Sequence, residues 1–99
     1  YKPIARFPSI ERDLAFIVDK KLAAQDLLDY VEKEGGELLE SVAVFDVYFG
    51  KGIEEGKKSI ALKLAFRHAE RTLKESEIAH IVDGIIEGIE EKFDAKLRS

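Results

Sequence analysis

Between residues 59 and 67 large apolar side chains alternate without a break with small or polar ones. Ile60, Leu62, Leu64 and Phe66 point one way, and Ser59, Ala61, Lys63, Ala65 and Arg67 point the other. Successive side chains on a strand project to opposite faces, so this pattern belongs to a strand with one face in a core and one face open. A strand of that kind needs partner strands and a layer of helix over its apolar side only. The small residues Ala61 and Ala65 make the open side flat.

The rest of the chain supplies that layer. Residues 13–18 form a short apolar run between charges and read as a strand. From Ala23 the period changes, and Ala24, Leu27, Leu28 and Val31 fall on one helical face until Gly35-Gly36 stops the helix. Residues 42–49 are rich in β-branched and aromatic residues and read as a second strand. Gly50, Gly52 and Gly56 punctuate a hairpin leading into the alternating strand. A second helix follows, with Thr72 as the expected N-cap and Glu75 completing a capping box. Its stripe runs Ile78, Ile81, Val82, Ile85, Ile86, Ile89 and Phe93. Gly84 and Gly88 weaken that helix by about 1 kcal/mol each relative to Ala, and are expected to let it lie close to the sheet. Residues 95–98 close the chain as a short strand. Pro3 and Pro8 make residues 1–12 an extended lead-in. The order is β-α-β-β-α-β, an α+β, ferredoxin-like sandwich: a four-stranded antiparallel sheet with two helices on one face and the other face open.

At 99 residues the chain suits a single domain spanning 1–99, and its start at Tyr1 without Met suggests a fragment of a longer polypeptide. Charged residues make up 36% and alternate in sign, as on a solvated surface. With no cysteine, there is no disulfide framework, thiol nucleophile or cysteine zinc site, which fits a cytoplasmic setting. No apolar run reaches the roughly 20 residues that span a bilayer, so no membrane role is expected. A net charge of −4 counts against strong autonomous binding to DNA or RNA, because phosphate neutralisation by Lys and Arg supplies most of that affinity.

Catalysis finds little support. Neither His68 nor His80 falls in an obvious Ser-His-Asp sequence pattern or at metal-ligand spacing, and both read as surface residues. Glu54-Glu55 and Glu90-Glu91 read as solvated charges. The run Gly50-Lys51-Gly52 with Gly56-Lys57-Lys58-Ser59 has the composition of a phosphate loop, but a strand follows it where a phosphate loop requires a helix. Acylphosphatase-type enzymes share this fold and rely on an Arg and an Asn; the sequence contains no Asn.

The open sheet face remains. An uncovered face in this fold is a natural platform for single-stranded RNA. If Phe45 and Val47 face the helices, then Val44, Asp46 and Tyr48 share the open face with Ser59, Ala61, Lys63 and Arg67. Each has an ordinary reading as well: a Tyr half-buried at a strand end, two solvated cations, an Asp paired to a hairpin lysine.

On these residues the sequence resembles the ferredoxin-fold anticodon-binding domain at the C-terminus of bacterial phenylalanyl-tRNA synthetase β subunits. The matching motifs are Arg6-Phe7-Pro8 with Arg12-Asp13, then Phe45-Asp46-Val47-Tyr48 with Gly50, then Gly56-Lys57-Lys58-Ser59, then Arg71-Thr72-Leu73. They occur in order across essentially all 99 residues. The resemblance implies a domain that performs no chemistry and holds no cofactor. It belongs to an α2β2 ligase that uses ATP and magnesium in its α subunit. The implied partners are the anticodon stem-loop of the tRNA for phenylalanine and the remainder of the enzyme. The first anticodon base of that tRNA is guanine. A carboxylate can accept both Watson–Crick-edge donors of an unstacked guanine, so Asp46 is expected to read the base and Tyr48 to stack on it. Ser59 and Ala61 would form the adjoining surface, and Arg12, Lys63 and Arg67 would meet phosphates.

Two other readings fit the fold. One is a small-ligand regulatory module of the amino-acid-sensing type, which would bind at a dimer interface. The other is a structural domain packed on its parent subunit.

Overall fold

The computed structural model describes residues 9–68 and 71–98. Residues 1–8, which hold Arg6-Phe7-Pro8 and most of the lead-in, lie outside that range. The elements run β1 (Ile10–Asp19), α1 (Ala24–Gly35), a short 3₁₀ turn (Gly36–Leu38), β2 (Leu39–Tyr48), β3 (Lys57–Phe66), α2 (Glu75–Phe93) and β4 (Lys96–Leu97). The four strands make one sheet in the order β2-β3-β1-β4, all neighbours antiparallel. This is the ferredoxin-like arrangement.

β3 is central, and its alternation organises the rest. Ile60, Leu62, Leu64 and Phe66 are fully buried. Opposite them on β1 stand Phe16, Leu14 and, at the far end, Ile10. The buried stripes of the helices, Leu27 and Val31 on α1 and Ile78, Ile85 and Ile89 on α2, close over the same side. Each such side chain contributes about 1.5–3 kcal/mol by leaving water. The whole apolar side of the sheet is thereby committed to the helices. The other side is left without a helical layer among the described residues.

β1 starts before the lead-in was expected to end: residues 10–12 already pair with β3. In that register Arg12 sits opposite Leu64, on the helix side of the sheet.

α2 also starts later than the expected cap. Lys74 is the N-cap, in extended conformation, and Thr72 lies outside the helix. Leu73, between the two, is buried in the core, and seating it there takes precedence over starting the helix at Thr72. The back-bonding acid is Glu77. Its carboxylate accepts the Lys74 N–H at 3.3 Å and an Arg71 guanidinium N–H at 2.9 Å. That hydrogen bond from Arg71, with the backbone bond next, holds the Glu77 carboxyl below its ordinary value of 4.5.

The two helix glycines play different parts from those expected. Gly84 faces open space. Gly88 makes room for α1 and not for the sheet: a Cβ there would meet the Tyr30 phenol, with ring carbon Cζ at 2.9 Å.

Candidate nucleic-acid interface

The register fixes which side chains share the open face. From β2 through β3 to β1, one row reads Asp46, Ala61, Ala15. The next row toward the hairpin reads Tyr48, Ser59, Ile17, and the next row away from it reads Ala43, Lys63, Asp13. Asp46 therefore stands on the rim of a floor made by two alanines. Its side chain is exposed, as is that of Lys63.

Strict alternation along β2 does not produce this face. Leu62 pairs with Val44 but Ala61 pairs with Asp46, so Phe45 is an extra residue, a β-bulge. The bulge shifts the phase of the strand. Val42 and Val44 lie over the helices, packed against the core. Asp46 and Tyr48 lie on the open side opposite Ala61 and Ser59. The expectation that Val44 shares the open face and Phe45 the helix face is thus reversed. Val47, opposite the buried Ile60, keeps its expected side. Phe45 is 55% exposed, and the Lys63 ammonium stands 5.8 Å from its ring centroid, which puts the ring on the Lys63 side. The sequence did carry a sign of this: apolar residues at 42 and 44 change phase to 45, 47 and 49.

Tyr48 is anchored. Its hydroxyl donates to the Lys51 carbonyl at 2.9 Å, and the Arg98 guanidinium lies 5.7 Å from its ring centroid. Arg98 also reaches Ser59, with 3.4 Å between guanidinium nitrogen and hydroxyl oxygen. Ser59 is only 3% exposed, so it supports Arg98 instead of presenting a surface of its own. Arg98 was not singled out from the sequence, because no local signal marks it. Its position follows from the pairing of β4 on β1, where its N–H donates to the Ala15 carbonyl at 2.6 Å.

The remaining cations are not brought to Asp46. Arg12, across the sheet, faces Glu75 at 3.5 Å. Arg67, at the far end of β3, faces Glu40 at 3.4 Å. His80 is exposed and His68 half-buried. Among the described residues no three His, Asp or Glu side chains cluster as a metal site. No described helix is long and apolar enough to cross a membrane.

The open face thus presents an exposed carboxylate flanked in sequence by Phe45 and Tyr48. The profile of the ferredoxin-fold anticodon binding domain matches residues 5–98. The chain belongs to that family. The chain is also similar to the phenylalanine–tRNA ligase β subunit of Vibrio parahaemolyticus, with 46% identity over 96% of its length. The corresponding subunit of Shouchella clausii shows 46% identity over the full length, and that of Bacillus licheniformis 44% over 99%. The chain spans about 12% of the length of these relatives. The bulge, the Asp46 rim and the alanine floor together make up the open face of the sheet.

Proposed function

We propose that this chain is the anticodon stem-loop-binding module of a phenylalanine–tRNA ligase β subunit, one domain of a much longer polypeptide. The observation that carries the reading is the exposed Asp46 carboxylate standing beside Tyr48 over the Ala61–Ala15 floor. An unstacked guanine laid on that floor would offer its N1–H and N2–H to Asp46. A bidentate contact of this kind is worth about 1–3 kcal/mol of discrimination, on the scale of base readout in DNA. The Tyr48 ring, pinned by its hydroxyl and backed by Arg98, supplies a stacking surface worth about 1–3 kcal/mol. Lys63, two residues along β3 from Ala61, is an open-face cation for a backbone phosphate. Ser59 acts through Arg98. Arg12 and Arg67 would reach RNA only after releasing Glu75 and Glu40.

The module itself performs no chemistry. Joining phenylalanine to tRNA with ATP and magnesium belongs to the catalytic α subunit of an α2β2 assembly in the cytoplasm. The net charge of −4 fits that division. Most tRNA affinity comes from the larger enzyme, and this face reads one base at the high effective concentration that tethering provides. The isolated chain is therefore expected to bind weakly.

The test is an NMR titration of the labelled chain with an anticodon stem-loop carrying guanine or adenine at the first anticodon position. Amide shifts centred on Asp46 and Ala61, weaker with adenine, support the reading. Shifts confined to the helices α1 and α2 would overturn it.

A further inference from the structure

Phe45 is the one open-face aromatic that pairing does not require. Asp46 already occupies the place opposite Ala61, so the ladder between β2 and β3 would run one-to-one through this region without Phe45. It contributes little to the core, since the residue is 55% exposed. Among the described residues Phe45 is one of four large exposed hydrophobics at consecutive or near-consecutive positions, with Val47, Tyr48 and Phe49, and clustered exposed apolar surface of this kind marks interaction sites. The ring also carries its own cation, Lys63 at 5.8 Å, as the Tyr48 ring carries Arg98 at 5.7 Å. Paired rings and cations along a strand are what single-stranded nucleic acid uses, because every base has a π-face and every nucleotide a phosphate.

Spacing adds a second argument. Phe45 and Tyr48 are three residues apart on β2, so their Cα atoms are separated by at most about 10 Å at about 3.3 Å per residue. Bases stack at about 3.4 Å, so an interval of up to that length leaves room for the two rings to take different bases. Asp46 lies inside the interval.

We infer that Phe45, with Lys63, is a second base platform, which takes the nucleotide adjacent to the one that Asp46 reads. The inference rests on the proposed anticodon-binding role and deepens it: the bulge converts a one-base reader into a two-base one. Phe45 supplies affinity without base preference, and Asp46 supplies the preference.

The experiment uses an anticodon stem-loop with 2-aminopurine next to the first anticodon base, and compares the wild-type chain with Phe45→Ala, Phe45→Trp and Asp46→Ala. Circular dichroism confirms that each variant is folded. Wild type is expected to quench the probe on binding. Phe45→Ala is expected to lose about tenfold in affinity together with the quenching, while its guanine-over-adenine ratio stays at the wild-type value. Phe45→Trp should retain both affinity and quenching. Asp46→Ala should lose the ratio and keep the quenching. A Phe45→Ala chain that binds and quenches like wild type overturns the platform. Loss of guanine preference in the wild type, with dependence on Phe45 intact, overturns the role of Asp46 and leaves the platform standing. A wild-type chain that binds neither stem-loop overturns both.

Discussion

Gly84 and Gly88 lie about one turn apart on α2, and the same alanine substitution should move stability in opposite directions at the two. Glycine in a helix interior is about 1 kcal/mol less favourable than alanine. At Gly84 a Cβ meets nothing within 4 Å, so Gly84→Ala should realise that full gain. For a chain of this size about 1 kcal/mol corresponds to a rise of roughly 4–8 °C in Tm. At Gly88 the same gain is opposed. The new methyl would meet the Tyr30 ring, with Cζ at 2.9 Å and Cε2 at 3.1 Å. That ring cannot simply step aside. It packs edge-on against Phe93 with centroids 5.6 Å apart, and the Lys92 ammonium lies 5.0 Å from its centroid. Overpacking costs about 1–3 kcal/mol and the aromatic pair is worth about 0.5–1.5 kcal/mol. Gly88→Ala should therefore come out about 1 kcal/mol less stable than wild type, with a gap of about 2 kcal/mol between the two variants. Urea denaturation followed by circular dichroism measures this directly, as shifts in midpoint at constant slope. Tyr30→Phe removes the phenol oxygen and should recover part of the Gly88→Ala loss. Equal stabilisation by both alanines would refute the close approach of α1 to α2 at Gly88.

Two further outcomes are expected. Because Arg71 lowers the Glu77 carboxyl from its ordinary 4.5, the charged form is favoured by folding. The stabilisation is present above that value and disappears as pH falls through the lower native one. Urea midpoints of wild type and Glu77→Gln should thus differ at neutral pH and converge as the solution is acidified below 4.5. Leu64→Ala, at a fully buried position in the central strand, should cost about 2–5 kcal/mol, read as a lowered urea midpoint.

The sequence shows the element order because each switch between periods of 2 and 3.6 falls at a glycine or at a run of charge. What it hides is side and phase. Arg12 has the same parity as Leu14, Phe16 and Val18, and its place on the helix side could have been read had the strand been extended back to Ile10. The prolines at 3 and 8 mask this, because they favour an extended segment with or without strand pairing. The start of α2 escaped for a tertiary reason: the pattern Thr72-x-x-Glu75 is a sound local cap, but burial of Leu73 takes precedence over it. Asp46 and Tyr48 could be placed on the open face because their parity is set beyond the bulge. Phe45 and Val44 could not be placed by alternation, since a bulge changes the count on one strand and leaves its partner unmarked. Arg98 is the least legible of all. Two strands separate it in the sheet from Tyr48, and only the β4–β1 pairing brings them together.

Both surplus residues of the sheet, Glu40 and Phe45, occur in β2, and β2 is an edge strand. An interior strand must satisfy two ladders at once, so a residue gained or lost there disturbs neighbours on both flanks. β2 answers to β3 alone. Its residue count can therefore change without any adjustment by β1 or β4. Length variation in β2 is thus a route by which descendants of this domain could reshape the open face while leaving Ile60, Leu62, Leu64 and Phe66 where they are.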